Sequence, residues 1–426
     1  MKKLKKQAIH KIGMVQNKNK RIWIANLSLL LSMSIGDSIA IDYKPNMQEI
    51  EINKAPALST NHVISSRNDG KTPILDIKNS SVTDVFSGVE KVEVLYYQDR
   101  IVIRATKNEK SRQKRLNKKG NGIFELFSGG GTMSHFFKMA GFDTAGALEL
   151  SEKFLTMYEN NNQHETFTIL ADIADVHPSD YPTDVVGVLA GIPCTSYSGS
   201  NIALSKAKKR QSQGIASADD IKRIEKMHEA ETLSYFVLNA CLVMNPRFIV
   251  VEEVVEYSSS PASIMLRTIL KRRGYHLSET VSRGSNTKRK RWCLTASMTS
   301  NVCLDNLYTD NGKTIADFLE VSIDEREWKP KEDFAASRLN DKIGIRSCTP
   351  NCSSTNTFTT HGTRGTEPVL QNGVNNEYSE FSNQEIANIH GLDGYVLSGK
   401  KTLDRQVLGQ GTSNQFFEVA KRLKVG

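Results

Sequence analysis

Apolar positions in the first hundred residues recur two apart and repeat at an offset of 53. Ile22 and Ile24 correspond to Leu75 and Ile77, Ile39 and Ile41 to Val92 and Val94, and Ile50 to Ile103. Leu29, Met33 and Tyr43 correspond in the same way to Val82, Phe86 and Tyr96. A period of two is the mark of strands with one buried face. Each copy therefore predicts a strand, a short helical or turn segment (29–33 or 82–86), then two further strands. Two such copies can close a small barrel and so remove exposed strand edges. Residues 21–103 are expected to form this β-rich duplicated barrel-like domain, behind a basic tail over 1–20. Residues 104–122, "RATKNEKSRQKRLNKKGNG", are polar, basic and end in Gly-Asn-Gly, and read as a basic linker.

From residue 123 the pattern changes to short apolar strands alternating with helical segments. "GIFELFSGGGTMSHFFKMAGF" predicts a strand, a glycine turn and a helix. That order suits a nucleotide, because glycines admit close backbone approach and the helix N-terminus offers free N–H groups; a plain tight turn is the simpler alternative. About 20 residues on, "GALEL" ends a strand at Glu149, where an acid can accept both ribose hydroxyls. "FTILADIAD" ends a further strand at Asp172. Strand ends carrying glycines, Glu and Asp make the crevice of a doubly wound α/β sheet.

The next strand, "DVVGVLAGIPCTSYS", runs into Pro193-Cys194. A thiol at the carboxyl end of such a strand is a candidate nucleophile, although a lone buried Cys is more often structural. "NPRFIVVEEVVEY" ends in Glu252 and Glu253 on the same side. "SNTKRKRWCLTA" places Arg289 and Arg291 two apart in an extended segment, so both guanidinium groups can point into one cleft.

Composition narrows the class. The chain has 426 residues, 38% apolar and 24% charged, with 28 Gly and 11 Pro, which excludes collagen-like, coiled-coil and wholly disordered chains. Six cysteines at irregular positions fit a reduced, cytoplasmic protein rather than a disulfide scaffold. Cys241, Cys293, Cys303, Cys348 and Cys352 lack paired C-x-x-C spacing, so no metal site is expected. The net charge of +9 is concentrated in residues 1–21 and 104–119, which together hold sixteen basic residues against one acid. The remainder, with forty basic and forty-six acidic residues, is net −6. Such runs are either solvated tails or polyanion-binding segments. "LSLLLSMSIG" after the Lys-rich start imitates a secretory signal, but Trp23 and Asn26 intrude. The run is also far shorter than the about 20 residues of a membrane span. No export and no membrane partner are expected.

The ordered set "FSGGG", "ALEL", "ADI", "AGIPCTSYS", "VEEV", "TKRKR" and "RQVLGQGTSNQFFEVAKRL" resembles the cytosine-C5 DNA methyltransferases across 123–426. The departures from that family's pattern are Glu253 for its usual Asn, Thr287 for Gln and Gln410 for Asn. The resemblance implies an S-adenosylmethionine-dependent, Rossmann-like doubly wound sheet, with a catalytic domain over 123–300 plus 380–426 and a short target-recognition region over 301–379. It implies that Cys194 adds to carbon 6 of a flipped-out cytosine, Glu252 protonates ring nitrogen 3, Arg291 holds the ring carbonyl, and Arg289 orients Glu252 or a phosphate. For the cofactor it implies Phe127, Ser128, Gly129, Gly131, Glu149, Leu150, Asp172, Ile173, Pro193 and Gln410. For the nucleic acid it implies Thr195 and Ser198 in the nucleophile loop and Lys208, Lys209 and Arg210 just beyond. Double-stranded DNA is the expected partner, with a homodimer through the N-terminal domain and a cognate restriction endonuclease as further candidates. Residues 20–103 bear a slighter resemblance to the swapped-hairpin barrel of bacterial transition-state regulators, a DNA-binding family. Two other readings stay open: a cytosine-C5 methyltransferase of RNA, of the tRNA type, and a catalytically silent DNA-binding regulator.

Overall fold

The computed structural model describes residues 3–11, 13–14, 20–25, 33–56, 62–67, 70–97, 99–162, 166–193, 202–300, 302–308, 310–330, 346–360, 367–372 and 377–425. The chain forms two compact units, Met1–Asn117 and Lys118–Gly426.

In the first unit, strands Lys3–Lys11, Lys91–Tyr97, Arg100–Ala105, Glu49–Lys54 and Ile39–Lys44 lie side by side in that order. A second antiparallel sheet joins Gly13–Met14, Lys20–Ala25, Pro73–Lys78 and Ser65–Ser66. Ile22, Ile24, Leu75 and Ile77 of one sheet share a single core with Ile50, Ile52, Val94 and Ile103 of the other. The expected barrel is thus two sheets around one core. Repeat-related positions meet: Ile50 pairs in register with Ile103, and Ile22 and Ile24 pair with Ile77 and Leu75. Helix Ser80–Val85, capped by the Asn79 side chain, occupies the turn position of the second copy. Its counterpart at 29–33 falls almost wholly outside the described residues.

Two expectations are corrected here. The basic tail over 1–20 is not all tail, since Lys3–Lys11 pairs antiparallel with Lys91–Tyr97. At a sheet edge, backbone pairing tolerates a lysine-rich sequence. Nor is 104–122 a linker throughout, because Lys107–Asn117 is a helix. The Thr106 hydroxyl accepts from the Glu109 N–H at 3.2 Å, and the Arg112 side chain donates to Glu109.

The second unit is built on seven strands: β1 (Gly122–Leu126), β2 (Asp143–Glu149), β3 (Phe167–Leu170), β4 (Gly187–Gly191), β5 (Phe248–Glu253), β6 (His276–Arg283) and β7 (Lys290–Ser297). Their order is β3-β2-β1-β4-β5-β7-β6, with the first five parallel and β7 antiparallel to both β5 and β6. One face packs under α1 (Thr132–Met139) and the C-terminal helices through Phe136, Phe137, Phe248, Phe416 and Val419. The other packs under α4 (Ala218–Met244) and α5 (Pro261–Arg272) through Val188, Val251, Val237, Leu266 and Trp292. Burial on both faces explains why β1, β4 and β5 read as largely apolar runs. This is the α/β doubly wound fold expected. Lys118 opens the unit by donating to the Val185 carbonyl at 2.9 Å.

Between β7 and the closing helices stands a small sheet of Lys329–Pro330, Glu377–Glu380, Val369–Asn372 and Ser347–Cys348, in that order. Phe318, Phe358, Leu370 and Phe381 join it to the main core. Within this region "TIADFLEVSI", whose apolar spacing predicts a helical piece, forms only the 3-10 turn Ile315–Phe318. The chain closes with α6 (Asn383–His390), α7 (Lys401–Gln410) and α8 (Gln415–Val425). Among the described residues, no helix is long and apolar enough to cross a membrane.

Candidate active site

The crevice begins where β1 meets α1. Phe127 has a φ of +56°, a left-handed conformation that a bulky side chain adopts only where its surroundings impose it. A Cβ added at Gly129, φ +52°, would meet nothing within 4 Å, so this turn presents bare backbone to open space. Gly131, φ +79°, caps α1, and a Cβ there would lie 2.6 Å from Tyr158. Ser128 is buried and its N–H donates to the Leu148 carbonyl.

Glu149 ends β2 and braces the turn. Its carboxylate accepts from the Gly129 N–H at 2.8 Å and the Ser151 N–H at 3.0 Å. A carboxylate has about four acceptor positions, so capacity remains for a ribose diol. Leu150 beside it is 67% exposed. Asp172 is exposed beyond β3 and accepts from the Ala174 N–H at 2.9 Å, while Ile173 is buried in the core beneath. An open glycine turn, an acid at the end of β2 and an exposed apolar side chain fit an adenosine-bearing cofactor.

The closing segment returns to the same turn. Tyr395 donates to the Gly130 carbonyl at 2.5 Å, and the Thr412 N–H donates to the Thr132 hydroxyl at 3.0 Å. Gln410, exposed at the end of α7, accepts through its carbonyl from Arg289 at 3.1 Å. Thr132, Tyr395 and Thr412 were not among the expected site residues. The position of Thr132, directly after three glycines, is the signal that points to it.

β4 leads toward the segment expected to carry the nucleophile. Pro193 is exposed at its start; Cys194, Thr195 and Ser198 lie outside the described residues. The neighbouring Glu252 is described and 7% exposed. It sits in register with Gly191, and its Oε2 lies 3.6 Å from where a Gly191 Cβ would be. From β7, Arg291 Nε donates to Glu252 Oε1 at 2.6 Å. Arg289, 4% exposed, reaches Gln410 instead. Arg291 thus contacts Glu252, and Arg289 contacts the backbone carbonyl of Gln410 in the closing segment.

Two further buried carboxyl groups lie near the ends of β1 and β5. Glu125 on β1 accepts from the Ser134 N–H at 3.3 Å, and burial pushes its carboxyl up to about 8. Glu253 is 1% exposed, accepts from the Val254 N–H at 2.7 Å, and is pushed up to about 9, chiefly by burial and then by Glu252. His390 is fully buried, and desolvation followed by Arg289, Arg291 and Arg405 holds it down to about 3.

The helix beyond the nucleophile loop, α3 (Ile202–Ser212), packs on α4 through Leu204, Ala207, Ile224 and Met227. Lys208 and Lys209 are exposed on it. Arg210 is not free in the same way: it grips Asp220 with both Nε, at 2.7 Å, and Nη2. That contact holds the Asp220 carboxyl well below its usual range. Among the described residues, no group of three or more His, Cys, Asp or Glu side chains could hold a metal ion.

Comparison with known proteins agrees with this arrangement. Type II methyltransferase M.NgoPII of Neisseria gonorrhoeae is 33% identical over 76 residues, and M.DdeI of Desulfomicrobium norvegicum 37% over 79. Each stretch covers 18% of this chain, and only 22% and 19% of the respective relative. Among solved structures, the Dnmt2 methyltransferase of S. pombe superposes with a TM-score of 0.53 at 19% identity, over 72% of this chain and 99% of that one. The Entamoeba histolytica methyltransferase EhMeth superposes with 0.54 at 19% identity, over 71% and 97%. These likenesses establish the fold. Residues 122–418 match the family described as C-5 cytosine-specific DNA methylase, and the chain belongs to that family.

Proposed function

We propose that this protein methylates carbon 5 of cytosine in DNA, with S-adenosylmethionine as the methyl donor. The observation that carries the reading is the Arg291–Glu252 pair beside Gly191 at the end of β4, with the open glycine turn following the neighbouring strand β1. Phe127, Glu149, Leu150, Asp172 and Ile173 would hold the cofactor, with Gln410 closing over it. When bound, S-adenosylmethionine supplies an electrophilic methyl group on a sulfonium.

Carbon 5 of cytosine is a poor nucleophile until carbon 6 carries a thiolate, and Cys194 supplies it. Glu252 donates a proton to ring nitrogen 3 and so neutralises the charge that this addition develops. Arg291 fixes the carboxyl direction and faces the ring carbonyl. After methylation a base removes the carbon-5 proton, the thiolate leaves, and the proton on ring nitrogen 3 returns to Glu252, restoring the ring and the acid.

DNA as substrate is supported by the two relatives named type II methyltransferases. It is supported too by the exposed Lys208 and Lys209 beside the nucleophile loop, since phosphate contacts add affinity at a flipped-out base. The brevity of 301–379 favours RNA as the second reading. Nucleoside mass spectrometry on DNA and RNA from a methylation-deficient host decides it. Expressing wild type should yield 5-methylcytosine in DNA, and Cys194→Ser should abolish it; a signal confined to RNA would replace DNA as the substrate.

A further inference from the structure

Glu252 and Glu253 end the same strand but serve opposite faces of the sheet, because successive side chains alternate. Glu252 faces the cleft, with Gly191 and Arg291. Glu253 stands in register with Trp292, on the face that buries Val251, Val254, Tyr257 and Trp292. Its Oε2 accepts from the Val254 N–H, and its Oε1 meets no hydrogen-bond partner among the described residues. An ionised carboxylate with a bare oxygen in an apolar layer is costly, whereas the neutral acid is not. The oxygen left bare is then the one that carries the proton.

The charged and titratable groups around it are few. Glu252 on its own strand and Glu256 in the following turn oppose its ionisation, and Arg291 from β7 favours it. Tyr257 packs on the same side with its hydroxyl on Ser234. Arg267 of α5, paired with Glu279 of β6 at 2.8 Å, covers the Trp292 ring from 5.1 Å. None of these cations makes an ion pair with Glu253.

We propose that Glu253 is a positioning residue for Glu252: as a neutral acid it pins the turn after β5 through Val254, so that Glu252 and its Arg291 contact face no charge from behind. The proposal rests on the reading of Glu252 as the proton donor. Its loss of a proton at alkaline pH puts a charge behind Glu252 that competes for Arg291 and disturbs the Arg291–Glu252 contact. Glu253 thereby sets the alkaline limit of the reaction.

The test compares wild type, Glu253→Gln and Glu253→Ala by kcat over pH 7 to 10.5, with melting temperature over pH 4 to 10. Gln keeps an acceptor for Val254 and cannot ionise, so its rate relative to wild type should rise about tenfold between pH 7.5 and pH 10. Ala loses the acceptor and should be slower than Gln at every pH. The melting advantage of Gln over wild type should widen from about pH 4.5 to about 9 and then level, because only the unfolded wild-type carboxyl ionises in that window. An alkaline limb that persists in Glu253→Gln, or a melting gap that ignores pH, overturns the proposal. A wild type that methylates no cytosine overturns the functional reading and the positioning role together. A pH-dependent melting gap that survives marks that case off from an ionised Glu253.

Discussion

Arg291 Nε donates to Glu252 Oε1 at 2.6 Å, with the two side chains only 11% and 9% exposed. Removing one member of such a pair leaves a charge without compensation, a larger loss than the pair's net worth. Arg291→Ala should therefore slow single-turnover methylation by ~10²-fold or more, while S-adenosylmethionine binding by calorimetry persists. Arg289→Ala should act differently. It frees the Gln410 backbone carbonyl from its tie to the segment before β7, so weakened cofactor binding should accompany its rate loss. Equal effects from the two variants would refute this division.

Glu125 carries a second pH effect of the opposite locus, under the glycine turn. Its folded-state carboxyl is raised to about 8 from 4.5, so the unfolded chain ionises first and stability is lost as pH climbs through that window. Glu125→Gln should raise the melting temperature by several degrees at pH 8, worth a few kcal/mol at most. At pH 4 it should have little effect. Differential scanning calorimetry at the two pH values checks the sign.

Lys208 and Lys209 are exposed, whereas Arg210 is committed to Asp220. Replacing both lysines by Ala should lower the salt dependence of DNA binding by about 0.9 per lost phosphate contact. Arg210→Ala should chiefly loosen α3 from α4, seen as faster amide hydrogen exchange there, with a salt slope like that of wild type.

The break between compact units at Asn117 and Lys118 gives a clean place to cut. Removing 1–117 keeps Lys118 on Val185 and should leave the methylated sequence unchanged while weakening DNA binding about tenfold or more at 150 mM salt. Unchanged affinity would assign the first unit to another task.

Much of the second unit is legible in the sequence because strands buried on both faces leave continuous apolar runs, whose ends mark the crevice of the sheet. Glu149 and Glu252 are found in this way. Division of labour between Arg289 and Arg291 is not legible: spacing places both on one face but does not say which guanidinium reaches which oxygen. Lys107–Asn117 carried a readable signal in Thr106-x-x-Glu109, a capping signature that its linker-like composition outweighs. Lys3–Lys11 carried none, since an edge strand needs only a partner's backbone. For Glu253 the sequence reveals two adjacent carboxyl groups, and only the alternation of β5 in space separates their environments.

Pairing of Lys3–Lys11 with Lys91–Tyr97, and of Ile50 with Ile103, bears on how the molecule is born. Neither copy of the repeat can complete a sheet from its own residues. During synthesis Lys3–Lys11 and the outer edge of Glu49–Lys54 must wait until Lys91–Tyr97 and Arg100–Ala105 leave the ribosome, and chain elongation at about 5–20 residues per second makes that wait several seconds. The unit then closes in one cooperative step dominated by contacts distant in sequence. Slowing translation before residue 105 should lengthen the interval in which a nascent chain is open to proteolysis and to chaperone capture.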